Sequence, residues 1–154
     1  MMTAEEIREI EAELAHYPVR RAGAIEALKV VQRHRGWISD DSVKEIAAFL
    51  GMSADEVDAV ATFYNLVFRR KVGRHVILVC DSVSCWVMGY DSLRDRLSAS
   101  LGIGLGETTA DGRFTFLPTA CLGACDRAPA MMVDEDLHGP VNPGGIDAIL
   151  GNYR

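Results

Sequence analysis

The sequence has no apolar run near the ~20 residues that a helix needs to span a bilayer, so no membrane span is expected. Its opening stretch, MMTAEEIREIEAEL, is acidic and amphipathic. It lacks the basic start and apolar centre of a secretory leader, and the expected location is the cytosol, where thiols stay reduced. Basic residues are in the minority: 16 Lys and Arg face 22 Asp and Glu, for a net charge of −6. That balance argues against nucleic acid as a partner. No Walker loop, nucleophile elbow or H-E-x-x-H pattern occurs, and no C-x-x-C dithiol. The stretch LGIGLGE, Leu101 to Glu107, is glycine-rich but follows a helical pattern rather than a strand. It fails the context of a dinucleotide loop and reads as a turn. Internal repeats and low-complexity tracts are absent as well. What remains is a 154-residue chain, one domain or one domain with a helical extension. At that size about 70% of the unfolded surface is buried on folding, so a core needs neither metal nor disulfide.

Hydrophobic periodicity splits the chain in two. Residues 1–72 read as a helical bundle. Thr3 and Glu6 form a capping-box signature, and Ile7, Ile10, Leu14 and Tyr17 then recur at helical spacing. A second helix runs from about Arg21, with Ile25, Leu28 and Val31 on one side, and ends at Gly36. Asp40 or Asp41 caps a third, with Val43, Ile46, Ala47 and Leu50 inward. Ser53 and Glu56 repeat the capping box before Val57, Val60, Ala61 and Tyr64. The triplet Arg69, Arg70 and Lys71 reads as solvated surface, with a docking patch as the alternative.

From residue 73 the period changes. HVILV, residues 75–79, has the continuous apolar character of a strand buried on both faces. Asp91 caps a helix carrying Leu93, Leu97 and Leu101, closed by Gly102. FTFLPT and AMMVDE read as strands, and Asn142 with Pro143 opens a last helix through Ile146, Ile149 and Leu150. The order β-α-β-β-α behind a helical run predicts an α/β domain over residues 73–154.

All four cysteines fall in two short stretches, CDSVSCWVMGY at 80–90 and CLGACDRAP at 121–129. Each pair is expected just past the end of a strand, where α/β folds place their chemistry. Four residues separate Cys80 from Cys85, and three separate Cys121 from Cys125. Structural disulfides do not suit a reducing compartment. A four-thiolate zinc site and a [2Fe–2S] cluster both remain open at these spacings. Two irons with bridging sulfides need a wider span than one tetrahedral ion, which favours the cluster. Small residues fill both loops: Ser82 and Ser84 in the first, Gly123 and Ala124 in the second. They leave backbone N–H groups free to point at sulfur. Asp81 and Leu122 complete the two loops, and no Lys or Arg lies inside either. A Gly123→Val change is expected to crowd the second loop.

Beyond spacing, GRHVILVCDSVSCWVMGY, DGRFTFLPTACLGACDRAPAMMVDED, GAIEALKVVQRHRGWIS and VDAVATFY closely resemble the small thioredoxin-like [2Fe–2S] subunit of bacterial NADH:quinone oxidoreductase. That is the E-type, or 24 kDa, subunit family of respiratory complex I, and the resemblance covers nearly the whole chain. It implies a thioredoxin-like [2Fe–2S] ferredoxin domain behind an N-terminal helical bundle. The family's four cluster ligands fall on Cys80, Cys85, Cys121 and Cys125, and Ala120 replaces a fifth cysteine found in some relatives. The implied role is one-electron exchange with FMN on a partner subunit that also binds NADH, within the peripheral arm of the complex. That arm lies on the cytoplasmic side of the inner membrane. The chain then carries no substrate-converting site of its own. The equivalent small subunit of an NAD-linked formate dehydrogenase or hydrogenase is the near alternative. A non-redox module with a structural zinc is the alternative of another class. Trp86 is expected to pack beside the cluster or shield it from solvent. Phe63, Tyr64 and Phe68, in the aromatic stretch TFYNLVF, are candidates for packing on the flavin subunit.

Overall fold

Cap chemistry builds the first part of the chain. Glu6 N–H donates to the Thr3 hydroxyl while the Glu6 carboxylate accepts from Thr3 N–H. This reciprocal box satisfies N–H groups that a helix start leaves open, and α1 follows over Ala4–Leu14. Ser53 and Glu56 repeat it ahead of α4, Ala54–Phe63. Between them lie α2, Ala24–Arg35, and α3, Asp40–Leu50. Gly36 ends α2 in the left-handed conformation, as its position predicts. Two boundaries differ from the sequence reading. Arg20–Gly23 forms a 3₁₀ turn, so α2 begins at Ala24. Ser39, not an aspartate, caps α3 by accepting from Ser42 N–H. Asp40 and Asp41 occupy the first turn, where the helix dipole favours carboxylates.

The computed structural model describes residues 1–154. Two compact units divide them, Met1–Lys71 and Val72–Arg154. No helix is long and apolar enough to cross a membrane.

Ile10, Leu28, Val31, Ile38, Ile46 and Val57 share the core of the first unit. Ile7 and Tyr64, assigned to inward stripes, are exposed. Glu6 is buried instead. Arg35 holds its carboxylate with Nε and Nη2 at 2.7 and 2.9 Å. Pairing of this bidentate kind is what a buried carboxylate requires. Arg69 is not plain surface either. It reaches Asp58 at 2.6 Å, Asp40 at 2.7 Å and the Ile38 carbonyl. Gln32 donates to Leu66 O and accepts from Phe68 N–H, at 2.8 and 2.7 Å. These two side chains fix the segment that follows α4.

The apolar run predicted as a strand becomes the centre of the second unit. β1, His75–Cys80, pairs in parallel with β2, Phe114–Thr119. On its other side it pairs antiparallel with β3, Met131–Val133. A short β4, Asp136–His138, extends the sheet to the order β2-β1-β3-β4. Helix α6, Tyr90–Leu101, and helix α7, Ile146–Leu150, supply Leu93, Leu97 and Ile146 to a core with Ile77, Val79 and Phe116. The last helix of the sequence reading begins as a 3₁₀ turn, Pro143–Gly145, with Asn142 as its cap. Gly89 rather than Asp91 precedes α6. LGIGLGE is a turn, tied to β2 by a hydrogen bond from Gly106 N–H to Phe116 O. The order is therefore β-α-α-β-β-β-α, with one strand and one short helix, α5 at Val83–Met88, beyond the expected set.

Candidate metal centre

Strand register fixes the first thiol. Cys80 is the last residue of β1, opposite Thr119 in β2, and its N–H donates to Ala130 O at 3.1 Å. Asp81 N–H continues the ladder to Thr119 O at 3.0 Å. Cys85 does not lie in a loop past the strand, as expected, but in α5, and it is the one residue that helix buries. Cys80 and Cys85 are only 3% and 2% exposed. The helix thus serves to turn a single sulfur inward. Its other side chains, Val83, Trp86, Val87 and Met88, face solvent. Trp86, expected to pack beside the centre or shield it, is 62% exposed.

The second pair is held differently. Beyond β2 the chain passes through Cys121 and Gly123 into a 3₁₀ turn at Cys125–Arg127. Both residues are exposed, and their sulfurs lie 3.4 Å apart. Gly123 N–H donates to Cys121 Sγ at 3.3 Å. That donor is aimed by a backbone φ of +76°, which glycine adopts freely and L side chains rarely do. A Cβ added at Gly123 would meet no atom within 4 Å. For the first carbon of a side chain at this position the constraint is therefore conformational rather than steric.

The two halves meet over one apolar floor. Cys80 and Cys85 pack with Ala124, Ala128 and Ala130, and Leu122 lies against them. Burial pushes the Cys85 thiol up, with the Ala130 backbone acting in the opposite direction. At the exposed pair the Gly123 N–H holds Cys121 below the usual thiol range. The adjacent Cys121 raises Cys125, and the Ser84 hydroxyl works against that rise. Ser84 belongs to α5 and Cys125 to the 3₁₀ turn, so this contact links the two cysteine stretches. Ser82 precedes α5 without a side-chain cap bond. Ala128 and Ala130 were missed by sequence reasoning. Only the pairing of β3 with β1 brings them to the thiols, and nothing in their local sequence signals it.

The donor set fits a two-iron cluster better than a single ion. A four-thiolate zinc site needs four sulfurs at about 2.3 Å from one centre. Two thiol pairs over an apolar floor, supplied with backbone and hydroxyl donors, suit a rhomb with bridging sulfides. The large cleft elsewhere in the second unit, ≈ 480 Å³ and lined by Leu101, Asp111, Arg113 and Asp147 among others, contains no cysteine. Its Arg113 is engaged by the Leu150 and Tyr153 carbonyls, and Asp147 by Ser100 and Arg96. Among the aromatic candidates of the first unit, Phe63 is 80% exposed and stacks edge-on against Tyr64 at 5.1 Å. Phe68 is half-buried, its N–H bonded by Gln32.

Comparison with known proteins gives concordant results. A sequence model of the thioredoxin-like [2Fe–2S] ferredoxin family matches residues 10–154. The E-type subunit of NADH-quinone oxidoreductase from Pseudomonas aeruginosa is 50% identical over 153 residues, covering 99% of this chain and 92% of that protein. Its counterpart from Escherichia coli K12 matches with the same identity and coverage. Among solved structures, an NAD+-reducing [NiFe]-hydrogenase in the air-oxidised state superposes with a TM-score of 0.73 at 27% identity. That match covers 85% of this chain but only 22% of the hydrogenase chain.

Proposed function

The chain belongs to the thioredoxin-like [2Fe–2S] ferredoxin family, and from that premise we propose that it is the E-type electron-transfer subunit of an NADH-quinone oxidoreductase. Residues 1–72 serve as a helical docking extension, and residues 73–154 carry the redox centre. Cys80, Cys85, Cys121 and Cys125 are the ligands. A [2Fe–2S] cluster, when bound, supplies a one-electron acceptor and donor. The chain's own residues set its surroundings. Cys80 and Cys85 present buried sulfurs from β1 and α5. Cys121 and Cys125, 3.4 Å apart, have the spacing of two thiolates on one iron. Gly123 N–H and the Ser84 hydroxyl offset negative charge on the outer sulfurs, while Ala124, Ala128 and Ala130 exclude water beneath the inner ones. The outer side is open, so a redox partner has a short approach to the centre.

The observation that carries this reading is the 50% identity over nearly the full chain, joined to a fold that sets Cys80 and Cys85 on one apolar floor and brings Cys121 and Cys125 within 3.4 Å of each other. The partner in this reading is the subunit that binds FMN and NADH, within the peripheral arm on the cytoplasmic side of the inner membrane. The same module in an NAD-linked hydrogenase is the second reading, supported by the structural likeness at 27% identity. The respiratory reading leads because its identity is nearly twice as high over a longer span.

The decisive experiment is an EPR spectrum of the dithionite-reduced chain, with iron, sulfide and zinc measured on the same sample. A rhombic spin-half signal with about two irons and two sulfides per chain is expected. One zinc, no sulfide and no signal would overturn the assignment. Docking is tested separately. Phe63→Ala should weaken co-purification with the flavin subunit, since exposed aromatics anchor interfaces. Undiminished capture removes Phe63 from the interface.

A further inference from the structure

The closeness that suits Cys121 and Cys125 to one iron also makes each the other's nearest partner for oxidation. We propose that, before a cluster is loaded, Cys121 and Cys125 are a reversible disulfide site that takes a low-molecular-weight disulfide such as oxidised glutathione as its oxidant. The inference rests on the reading of the four thiols as cluster ligands. It adds a state of the chain in which two of those ligands are withheld.

Three observations carry it. The two sulfurs lie 3.4 Å apart, so a bond of about 2.0 Å requires only a small approach. Both are exposed, which admits the oxidant. Gly123 lies between them and faces open space, with nothing within 4 Å of an added Cβ. The other pair has none of these properties together. Cys80 and Cys85 are buried, one ending a strand with its N–H bonded to Ala130 O, the other inside a helix. Oxidation therefore stops at two thiols.

The step is an ordinary exchange. The sulfur of Cys121 or Cys125 attacks oxidised glutathione, forms a mixed disulfide and releases one glutathione. The second cysteine sulfur attacks the protein-bound sulfur and releases the other. Two cysteine thiols lose two electrons and two protons, and one glutathione disulfide becomes two glutathione thiols. A thiol reductant reverses the exchange. Cluster assembly on this chain thus waits on reduction of the outer pair.

The chain's own cleavage sites make the test direct. Trypsin cuts after Arg74, Arg94, Arg113 and Arg127, which places Cys80 and Cys85 in peptide 75–94 and Cys121 and Cys125 in peptide 114–127. The full-length chain is stripped of metal anaerobically, treated with oxidised glutathione, unfolded, alkylated with iodoacetamide and digested. Peptide 114–127 should appear two hydrogens lighter and unalkylated, and peptide 75–94 doubly alkylated. In Cys125→Ser, peptide 114–127 should instead retain one glutathione on Cys121. Two alkyl groups or a stable glutathione adduct on the native peptide 114–127 would overturn the proposal. So would a linkage between the two peptides. Ferrous iron and sulfide are then offered to oxidised and dithiothreitol-reduced samples. The oxidised chain should take up no cluster until reduced. Loading of the oxidised sample while its peptide 114–127 stays two hydrogens lighter would refute the withheld state; sulfide that opens the bond first acts as the reductant and leaves that peptide alkylated. Failure of even the reduced sample to load would instead overturn the cluster assignment, which the peptide masses do not test.

Discussion

Cys80 and Cys85 stand on regular structure and are buried, whereas Cys121 and Cys125 stand on a turn and are exposed. The first pair is placed by a strand register and a six-residue helix, both of which depend on packing from distant parts of the chain. The second is placed by a left-handed glycine and a short 3₁₀ turn, which are local. Their electrostatics are opposed as well. Burial disfavours the Cys85 thiolate, while the Gly123 N–H favours that of Cys121. The inner pair thus contributes rigidity at an electrostatic cost, while in the outer pair, with little packing, the Gly123 N–H favours charge on Cys121 and Cys121 in turn disfavours it on Cys125.

Substituting one cysteine from each pair breaks the comparison most severely. Cys85→Ala and Cys125→Ala should both abolish stable retention of iron and sulfide, since each removes one of the four proposed ligands. A fully loaded centre with a normal EPR signal in either variant removes that residue from the ligand set. The metal-free proteins should then differ. Cys85→Ala leaves a small void in a packed site and should cost about 1 kcal/mol in urea unfolding. Cys125→Ala, at an exposed position, should stay within about 0.5 kcal/mol of the parent. Equal losses would mean that the inner thiol is no better packed than the outer.

The helical unit sharpens the contrast, because it places a charge by burial without any thiol. The Arg35 guanidinium beside Glu6 holds its carboxyl down to about 2, against an ordinary value of 4.5. A carboxylate with a depressed folded-state pKa adds stability above its unfolded pKa and loses it as pH falls toward the folded value. The contribution is therefore full above about pH 5 and fades toward pH 2, with a size of ~2–3 kcal/mol. Glu6→Gln should be less stable than the parent by up to that amount at pH 7. The difference should narrow steadily in unfolding series taken toward pH 3. Glu9, held low by Arg33 and His34, is common to both proteins and cancels, whereas Glu45 shares Arg35 with Glu6, so Arg35 turned wholly to Glu45 offsets part of the loss in Glu6→Gln. A gap that stays constant with pH would show that another group carries the acid sensitivity.

How much of this was legible in the sequence depended on range. Thr3 with Glu6 and Ser53 with Glu56 could be read directly, because a capping box spans three residues. The cysteine pairs were legible for the same reason. β4 was not: its three residues follow a two-residue connection, Asp134–Glu135, which lacks the Asn-Gly or Asp-Gly signature of a tight hairpin. Asp134 holds that turn at a φ of +53°, with its carboxylate bonded to Val76 N–H and His75 in β1. Helix α5 escaped because Val, Ser, Cys and Trp are indifferent helix formers, and its single buried residue leaves no stripe to count. Arg69 looked like surface because its partners Asp58 and Asp40 lie 11 and 29 residues away. Legibility failed wherever a residue's role was set by another part of the chain.

Gly123 gives the smallest change that still distinguishes local from long-range placement. An L residue at a φ of +76° is strained, by roughly 1 kcal/mol for alanine. Open space around the position means that the added methyl meets no neighbour. Gly123→Ala should therefore fold and load a cluster. The loop relaxes away from the left-handed region, however, and its N–H no longer points squarely at Cys121. Iron release to a chelator should quicken by about fivefold, the equivalent of ~1 kcal/mol. The reduction potential should fall, because hydrogen bonds to sulfur stabilise the more negative reduced state. Asparagine tolerates this backbone region better than alanine, so Gly123→Asn should recover part of both losses despite its larger side chain. A variant series ordered by side-chain size instead, with Asn worse than Ala, would restore the steric account and remove the conformational one.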